Sequence, residues 1–285
     1  MFTLHNGDCL QILPSIPSGS IDAIITDLPY GTTACKWDTV IEFAPMWKEV
    51  KRVLKPNGAF ITTASQPFTS ALIMSDPKFF KVEWIWNKNK AGNVLSSGFQ
   101  PMKVHENILV FGKSKITYNK QMVEAKAENI RPSGKLYKDR NSIVGVKDWQ
   151  HSPNRDNTKR NPKSIINISS VSAECNNVNR IHRTQKPVAL YEYLIKTYTN
   201  EGETVLDIAM GSGTTIEAAE RTGRNSIGIE KDEGIFQSAV LRLKSLTPSN
   251  TASSGRVDSS RSPELFPAEV SPSAKVTRQS TNANR

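Results

Sequence analysis

Two short runs of this 285-residue chain hold side chains suited to chemistry rather than packing. In "IDAIITDLPYG" an apolar run ends abruptly at Asp27, Leu28, Pro29 and Tyr30, so a carboxylate, a φ-restricted residue and an aromatic ring follow one strand-like segment. In "VLDIAMGSGTT" Asp207 precedes a turn containing Gly211, Ser212 and Gly213, and a helix opens just beyond. Glycines there let the backbone approach a ligand closely, and the free amides of a first helical turn suit an anionic group. Glu230 closes the next strand, "NSIGIE", at about the distance where an acidic side chain grips ribose hydroxyls.

The glycine turn admits three ligand classes. A nucleoside-triphosphate loop needs a lysine after its last glycine, and Thr214 follows Gly213. A nicotinamide or flavin fingerprint has a third glycine or alanine where this chain has Ile216. S-adenosylmethionine, an adenosine ligand without a pyrophosphate, relaxes that demand. The bland alternatives are a tight strand-to-helix turn with no ligand and, for "DLPY", an ordinary turn at a strand end.

The elements that must carry these residues alternate. "SIDAIITD" reads as a buried strand. "FAPMWKEVKRVLKP" reads as a helix with Phe43, Met46, Trp47, Val50, Val53 and Leu54 on one face, stopping at Pro56-Asn57-Gly58. "GAFITTAS", "KVEWIWNK" and "ENILVFGK" read as strands and "PFTSALIMSD" as a short helix. After a long interruption come a helix in "KPVALYEYLIKTYTNEG", a strand "TVLDIAM", a helix "IEAAERTG", the strand "NSIGIE" and a helix "GIFQSAVLRLKSL". Strand alternating with helix predicts an α/β fold, a parallel or mixed sheet with helices on both faces.

Residues 113–182 interrupt the pattern with Asn, Lys, Ser and Arg and a few apolar islands such as "SIVGV" and "SIINI". Between Lys113 and Lys186 stand 16 Lys and Arg against 6 Asp and Glu, an excess equal to the whole chain's net charge of +10. Such a block is either the footprint of a polyanion-binding face or a solvated basic loop. The chain therefore divides into residues 1–112, an inserted basic region 113–182, a second catalytic half 183–246, and a Ser/Thr/Pro-rich tail 247–285 expected to be disordered. No run approaches the roughly 18 apolar residues of a membrane span, and the N-terminus lacks a basic-then-apolar leader, so a cytoplasmic protein without membrane partners is expected. Cys9, Cys35 and Cys175 are widely spaced, which points to incidental thiols, with no disulfide framework and no metal site.

"DLPY", "HRTQKPVALYEYLIKTYTNEGETVLDIAMGSGTT" and "GRNSIGIEKDEGIF", in that order over roughly residues 4–246, resemble the amino-methylating DNA methyltransferases of the N6-adenine and N4-cytosine type. The catalytic tetrapeptide comes first and the cofactor glycines near the C-terminus, as in the circularly permuted β-group. The resemblance implies a Rossmann-like, mostly parallel methyltransferase sheet with an inserted recognition region, and S-adenosylmethionine as cofactor. It implies that Asp207, Gly211, Ser212, Gly213 and Glu230 hold this cofactor. Asp8, with Cys9 beside it, would lie near the adenine amino group, and Thr184 and Lys186 of "TQKP" at the methionine end. Arg183 stands where the family has a proline, and Leu28 departs from the usual Asp-Pro-Pro-Tyr.

An exocyclic amine is a poor nucleophile because its lone pair is delocalised into the ring. Asp27 would accept one amine N–H and the Leu28 carbonyl the other, localising the lone pair and stabilising positive charge on nitrogen. Pro29 stiffens the turn, and Tyr30 would receive the flipped base by stacking. In the family an acidic first residue goes with adenine, so N6-adenine is expected over N4-cytosine. A DNA-binding protein without catalysis and a nicotinamide oxidoreductase are the readings from other classes. Double-stranded DNA is the implied partner, with room for a cognate restriction endonuclease and for a monomer or homodimer. Arg131, Arg140, Arg155 and Arg160 are candidates for guanine contacts. His105 and Glu106, opening a strand, are candidates to lie near the pocket, with a structural role expected for the histidine.

Overall fold

The computed structural model describes residues 1–32, 38–125, 158–170 and 185–246. Thr184, Arg131, Arg140, Arg155, Cys35, Cys175 and the whole tail 247–285 lie outside the described residues.

An eight-stranded sheet runs through the described body in the order β1 (Phe2–Asn6), β10 (Asn225–Glu230), β9 (Thr204–Asp207), β2 (Ile21–Thr26), β3 (Leu54–Ala64), β5 (Lys103–Phe111), β4 (Phe80–Gly92), β8 (Ile165–Asn167). The first five are mutually parallel, β5 is antiparallel to both its neighbours, and β8 is parallel to β4. The sheet is therefore mixed and mostly parallel, as the alternating pattern predicts. Two short strands, β6 (Val123–Glu124) and β7 (Lys159–Arg160), pair separately.

Alternation along the strands sorts their side chains onto two faces. Ile24, Phe60, Leu109, Phe111 and Leu206 meet α1 (Cys9–Ile12), α2 (Phe43–Val53) and α3 (Phe68–Ser75) on one face. Ala23, Ile25, Ile61, Ile108, Val110 and Val205 meet α4 (Val188–Tyr198) and α5 (Thr214–Arg221) on the other. Burial on both sides is why β2 reads as a continuous apolar run instead of an alternating one. α6 (Glu233–Leu246) packs Ala239 and Leu243 with Met210 and Ile216, against Phe2 and Leu4 of the edge strand.

Several boundaries differ from expectation. The second helix ends at Val53, before the Pro56-Asn57-Gly58 signal, because β3 begins at Leu54 and carries the turn as a bulge. Leu54 pairs with Ile21 and Ala59 with Ala23, so five residues oppose two. Gly58 is pressed against the strand it bulges over, with an added Cβ placed 2.9 Å from the Asp22 carbonyl. β9 stops at Asp207, and Ile208–Met210 already belong to the turn. "SIINI" supplies β8, bonded to Ile85, Trp86 and Asn87, so part of the basic segment is a strand of the main sheet. β1 has no counterpart in the sequence reading: residues 2–6 form an edge strand held by Ser226 to Glu230 of β10. Among the described residues no helix is long and apolar enough to cross a membrane.

Candidate functional site

Parallel strands deliver their last residues to one edge of the sheet, and in such sheets ligands bind beyond the carboxyl ends. In the run β1-β10-β9-β2 each strand ends at or just before an acid: Asp8, Glu230, Asp207 and Asp27 stand in a row on adjacent strands. All four line one cavity of about 750 Å³, within the range of about 300–1,000 Å³ usual for small-molecule sites. Cys9, Leu28, Pro29, Tyr30, Lys186, Gly211 and Ser212 line it too. Sites expected from three distant parts of the sequence thus share one space.

Each acid is handled differently. Asp8 caps α1, its Oδ1 accepting from the Leu10 amide at 2.9 Å and its Oδ2 from Lys231 Nζ at 2.9 Å, and the lysine holds its carboxyl below the usual range. Glu230 accepts from the Gly211 amide at 3.0 Å and the Asp232 amide at 2.8 Å, yet burial still pushes its pKa up. Asp207, 2 % exposed, accepts from Thr26 Oγ1 at 2.7 Å and the Ala209 amide at 3.1 Å. No basic side chain among the described residues pairs with it, and burial raises its pKa to about 6. Burial also raises the thiol of Cys9, to about 11, so it is a packing residue and a poor nucleophile at neutral pH.

Asp27 has the richest surroundings. Its Oδ1 accepts from Tyr30 Oη at 2.9 Å and from Thr63 Oγ1, and its Oδ2 from Lys186 Nζ at 2.6 Å. Lys186 also faces Glu106 Oε2 at 3.6 Å, and Glu106 Oε1 accepts from Lys88 Nζ at 3.0 Å. Burial opposes the charge on Lys186, but Asp27 and Glu106 outweigh it and hold the ammonium pKa above its usual value. Leu28 is 3 % exposed and its side chain belongs to the core, so the backbone at that position is its chemical asset. Asp38 fixes the following turn by accepting from the amides of Gly31 and Thr32 at 2.8 and 2.9 Å.

Some placements depart from expectation. Tyr30 is not a freely exposed ring: it stacks on Phe68 with centroids 5.2 Å apart, and Lys186 Nζ lies 5.8 Å from its centroid. Lys186 pairs with Asp27 on the wall of the same cavity. Gly213 is not among the cavity-lining residues; its φ of +79° and an added Cβ 2.9 Å from Leu243 Cδ1 make it a packing glycine under α6. At Gly211, with φ +51°, an added Cβ would meet no protein atom within 4 Å and would occupy cavity space. Arg160 lies in β7, pairs with Val123, and is not a cavity residue.

The sequence reading did not single out Thr63, Lys88, Lys231 or Asp38. Glu106 lines the cavity whereas His105 is exposed, and alternation along β5 was the available signal, since adjacent strand residues point to opposite faces. Among the described residues Gln185 Oε1 is a buried cavity-lining acceptor without a hydrogen-bond partner, while Glu106 Oε2 has the 3.6 Å ion pair with Lys186. An unpaired buried acceptor costs about 1–3 kcal/mol, which a ligand N–H in the cavity would offset.

This row of carboxylates and glycine turn at the carboxyl edge of a mostly parallel sheet defines a methyltransferase-type site. The chain belongs to the N6/N4 DNA methylase family, whose model matches residues 21–241. It is 31% identical over 252 residues to the Type II methyltransferase M.HpaI of Haemophilus parainfluenzae, covering 84% of this chain and 73% of that one. It is 27% identical to the Type II methyltransferase M.HinfI of Haemophilus influenzae, covering 86% and 69%. Among solved structures, the cytosine-N4-specific PvuII DNA methyltransferase shares the fold with a TM-score of 0.60 at 17% identity, over 88% of this chain and 90% of that one. The M1.HpyAVI–SAM complex does so with a TM-score of 0.54 at 24% identity, over 85% and 100%.

Proposed function

We propose that this DNA methyltransferase transfers a methyl group from S-adenosylmethionine to the N6 amine of adenine in duplex DNA, after the base has been flipped out of the stack. The observation that carries this reading is Asp27 and the backbone of Leu28, set on the wall of the cavity that also holds the Gly211 turn and Glu230. M1.HpyAVI, whose structure was solved with SAM, has the same fold, which supports the cofactor assignment.

The residues present fit that cofactor. Gly211 leaves its backbone open to a ligand, Glu230 can accept from ribose hydroxyls, and Asp8 can accept from an adenine amine. Ile208, Met210 and Ile235 offer apolar walls for an adenine ring. The chemistry supplied by the bound cofactor is an electrophilic methyl group; orientation and charge stabilisation come from this chain.

A carboxylate has about four acceptor positions, and Thr63, Tyr30 and Lys186 use three on Asp27. The remaining position can take one N–H of the target amine, and the Leu28 carbonyl the other. Both acceptors stabilise positive charge growing on that nitrogen as it attacks. Lys186 pairs with Asp27 at 2.6 Å and holds its carboxylate in place for the acceptor role. Tyr30, braced by Phe68, offers a ring for the flipped base, a contact worth about 1–3 kcal/mol. Adenine is favoured over cytosine by the acidic first residue of the tetrapeptide. Recognition of the target sequence is assigned to the basic segment 113–182, which includes Arg131, Arg140, Arg155 and Arg160, on charge alone.

The test is methyl transfer from labelled S-adenosylmethionine to duplex DNA by the wild type and by Asp27→Ala. The wild type is expected to label DNA, and the variant to lose at least about a hundredfold in rate while binding the cofactor as before. Near-normal transfer by the variant would refute the role given to Asp27.

A further inference from the structure

β4 and β5 are joined by residues 93–102, a stretch that no role above uses. β4 is antiparallel to β5, and β5 to β3, so β4 runs the same way as β2 and β3. Its carboxyl end therefore emerges at the edge where Asp27 stands, and Lys88, Lys90, Ala91 and Gly92 line the catalytic cavity. Lys103, at the return of the hairpin, donates to Ser65 just beyond β3, which ties the base of the hairpin to the same edge.

The tip has its own hydrogen-bonded turns. Asn93, at φ +61°, opens a single helical turn over Val94–Ser96, in which the Ser96 amide donates to the Asn93 carbonyl at 2.9 Å. The amides of Phe99 and Gln100 both donate to the Ser96 carbonyl at 3.1 Å. These turns leave apolar side chains in solvent: Leu95 is fully exposed, Phe99 is 81 % exposed, and Val94 is exposed beside them. Clustered exposed apolar side chains mark interaction sites, and here exposed Lys90 and the partly buried Lys88 and Lys103 flank them.

We propose that this hairpin tip is the wedge that enters the DNA duplex as the target base leaves it, with Leu95 and Phe99 filling the vacated space. The inference rests on the DNA-methylating reading and extends it. An extruded base leaves a gap between stacked neighbours, and an apolar side chain inserted from a cation-bearing loop holds such a gap open. A second copy of this basic chain would be repelled by the lysines, whereas DNA phosphates would be attracted to them.

The test uses the full chain and two duplexes carrying the site identified by modified-base sequencing of DNA from expressing cells. One is fully paired, and the other has an abasic position opposite the target base. The Leu95→Ser/Phe99→Ser variant is altered only at exposed positions, and its thermal midpoint is expected to match that of the wild type. It is expected to lose roughly tenfold or more in kcat/KM on the paired duplex and to stay within about twofold of wild type on the abasic one. Unchanged activity on both duplexes, or an equal loss on both, overturns the wedge. So does a change in oligomeric state with unchanged kinetics, which would assign the tip to self-association. A wild type that methylates neither duplex brings down the functional reading and the wedge together; an active wild type with an indifferent variant brings down the wedge alone.

Discussion

Lys186 and Asp27 are 159 positions apart in sequence, and their Nζ and Oδ2 atoms meet at 2.6 Å, with Glu106 on the far side of the same ammonium at 3.6 Å. One buried cation thus serves two carboxylates at the catalytic end of the cavity. Removing one partner of such a group leaves the others uncompensated, and that asymmetry makes the arrangement testable.

Lys186→Met is expected to leave Asp27 and Glu106 as neighbouring acids with no cation between them. Loss of the cation that pairs with Asp27 is then expected to lower kcat/KM by about tenfold or more. Glu106→Gln removes only the outer acid and should cost less. An unchanged kcat/KM in Lys186→Met would show that Asp27 does not depend on the lysine.

The two glycines of the turn are expected to fail differently. Gly211→Ala puts a methyl into cavity space at a positive φ, and should weaken S-adenosylmethionine binding by about 1 kcal/mol or more. Gly213→Ala drives a methyl toward Leu243 at φ +79° and should lower unfolding stability by about 1–3 kcal/mol. Calorimetric titration and denaturant unfolding of both variants separate the effects, and equal cofactor affinities in the two would remove the distinction.

Asp207 makes stability depend on pH with a definite sign. Its folded pKa of about 6 lies above the value of about 3.9 for a free side chain. Its contribution to folding is therefore full below about pH 4 and is lost as pH rises through about 6. The unfolding free energy of the wild type minus that of Asp207→Asn should fall by on the order of 2–3 kcal/mol between about pH 4 and pH 7. A flat difference would mean that the acid is not raised by burial.

What the sequence disclosed follows from which forces act locally. The sheet was legible because strands buried on two faces read as apolar runs, and α2 because Met46, Trp47, Val50 and Val53 recur at helical spacing. Asp27, Asp207 and Glu230 were legible because each closes a strand of that kind. β1 was not, since an edge strand of five residues whose apolar positions are Phe2 and Leu4 carries little signal, and its pairing with β10 spans most of the chain. Thr63 and Lys88 were invisible as site residues because only the register of β3, β4 and β5 brings them to the Asp27 end of the cavity, whereas Glu106 was already a candidate beside His105. Gly213 was legible as a turn glycine but its neighbour was not: Leu243 arrives from a helix thirty residues later.

The most direct test of the central claim is nucleoside mass spectrometry of duplex DNA treated with the purified protein and isotopically labelled S-adenosylmethionine. Labelled N6-methyladenine is expected, and its loss in Asp27→Ala. Label found only in N4-methylcytosine would contradict the adenine assignment, and no labelled nucleoside on any duplex would contradict the account as a whole.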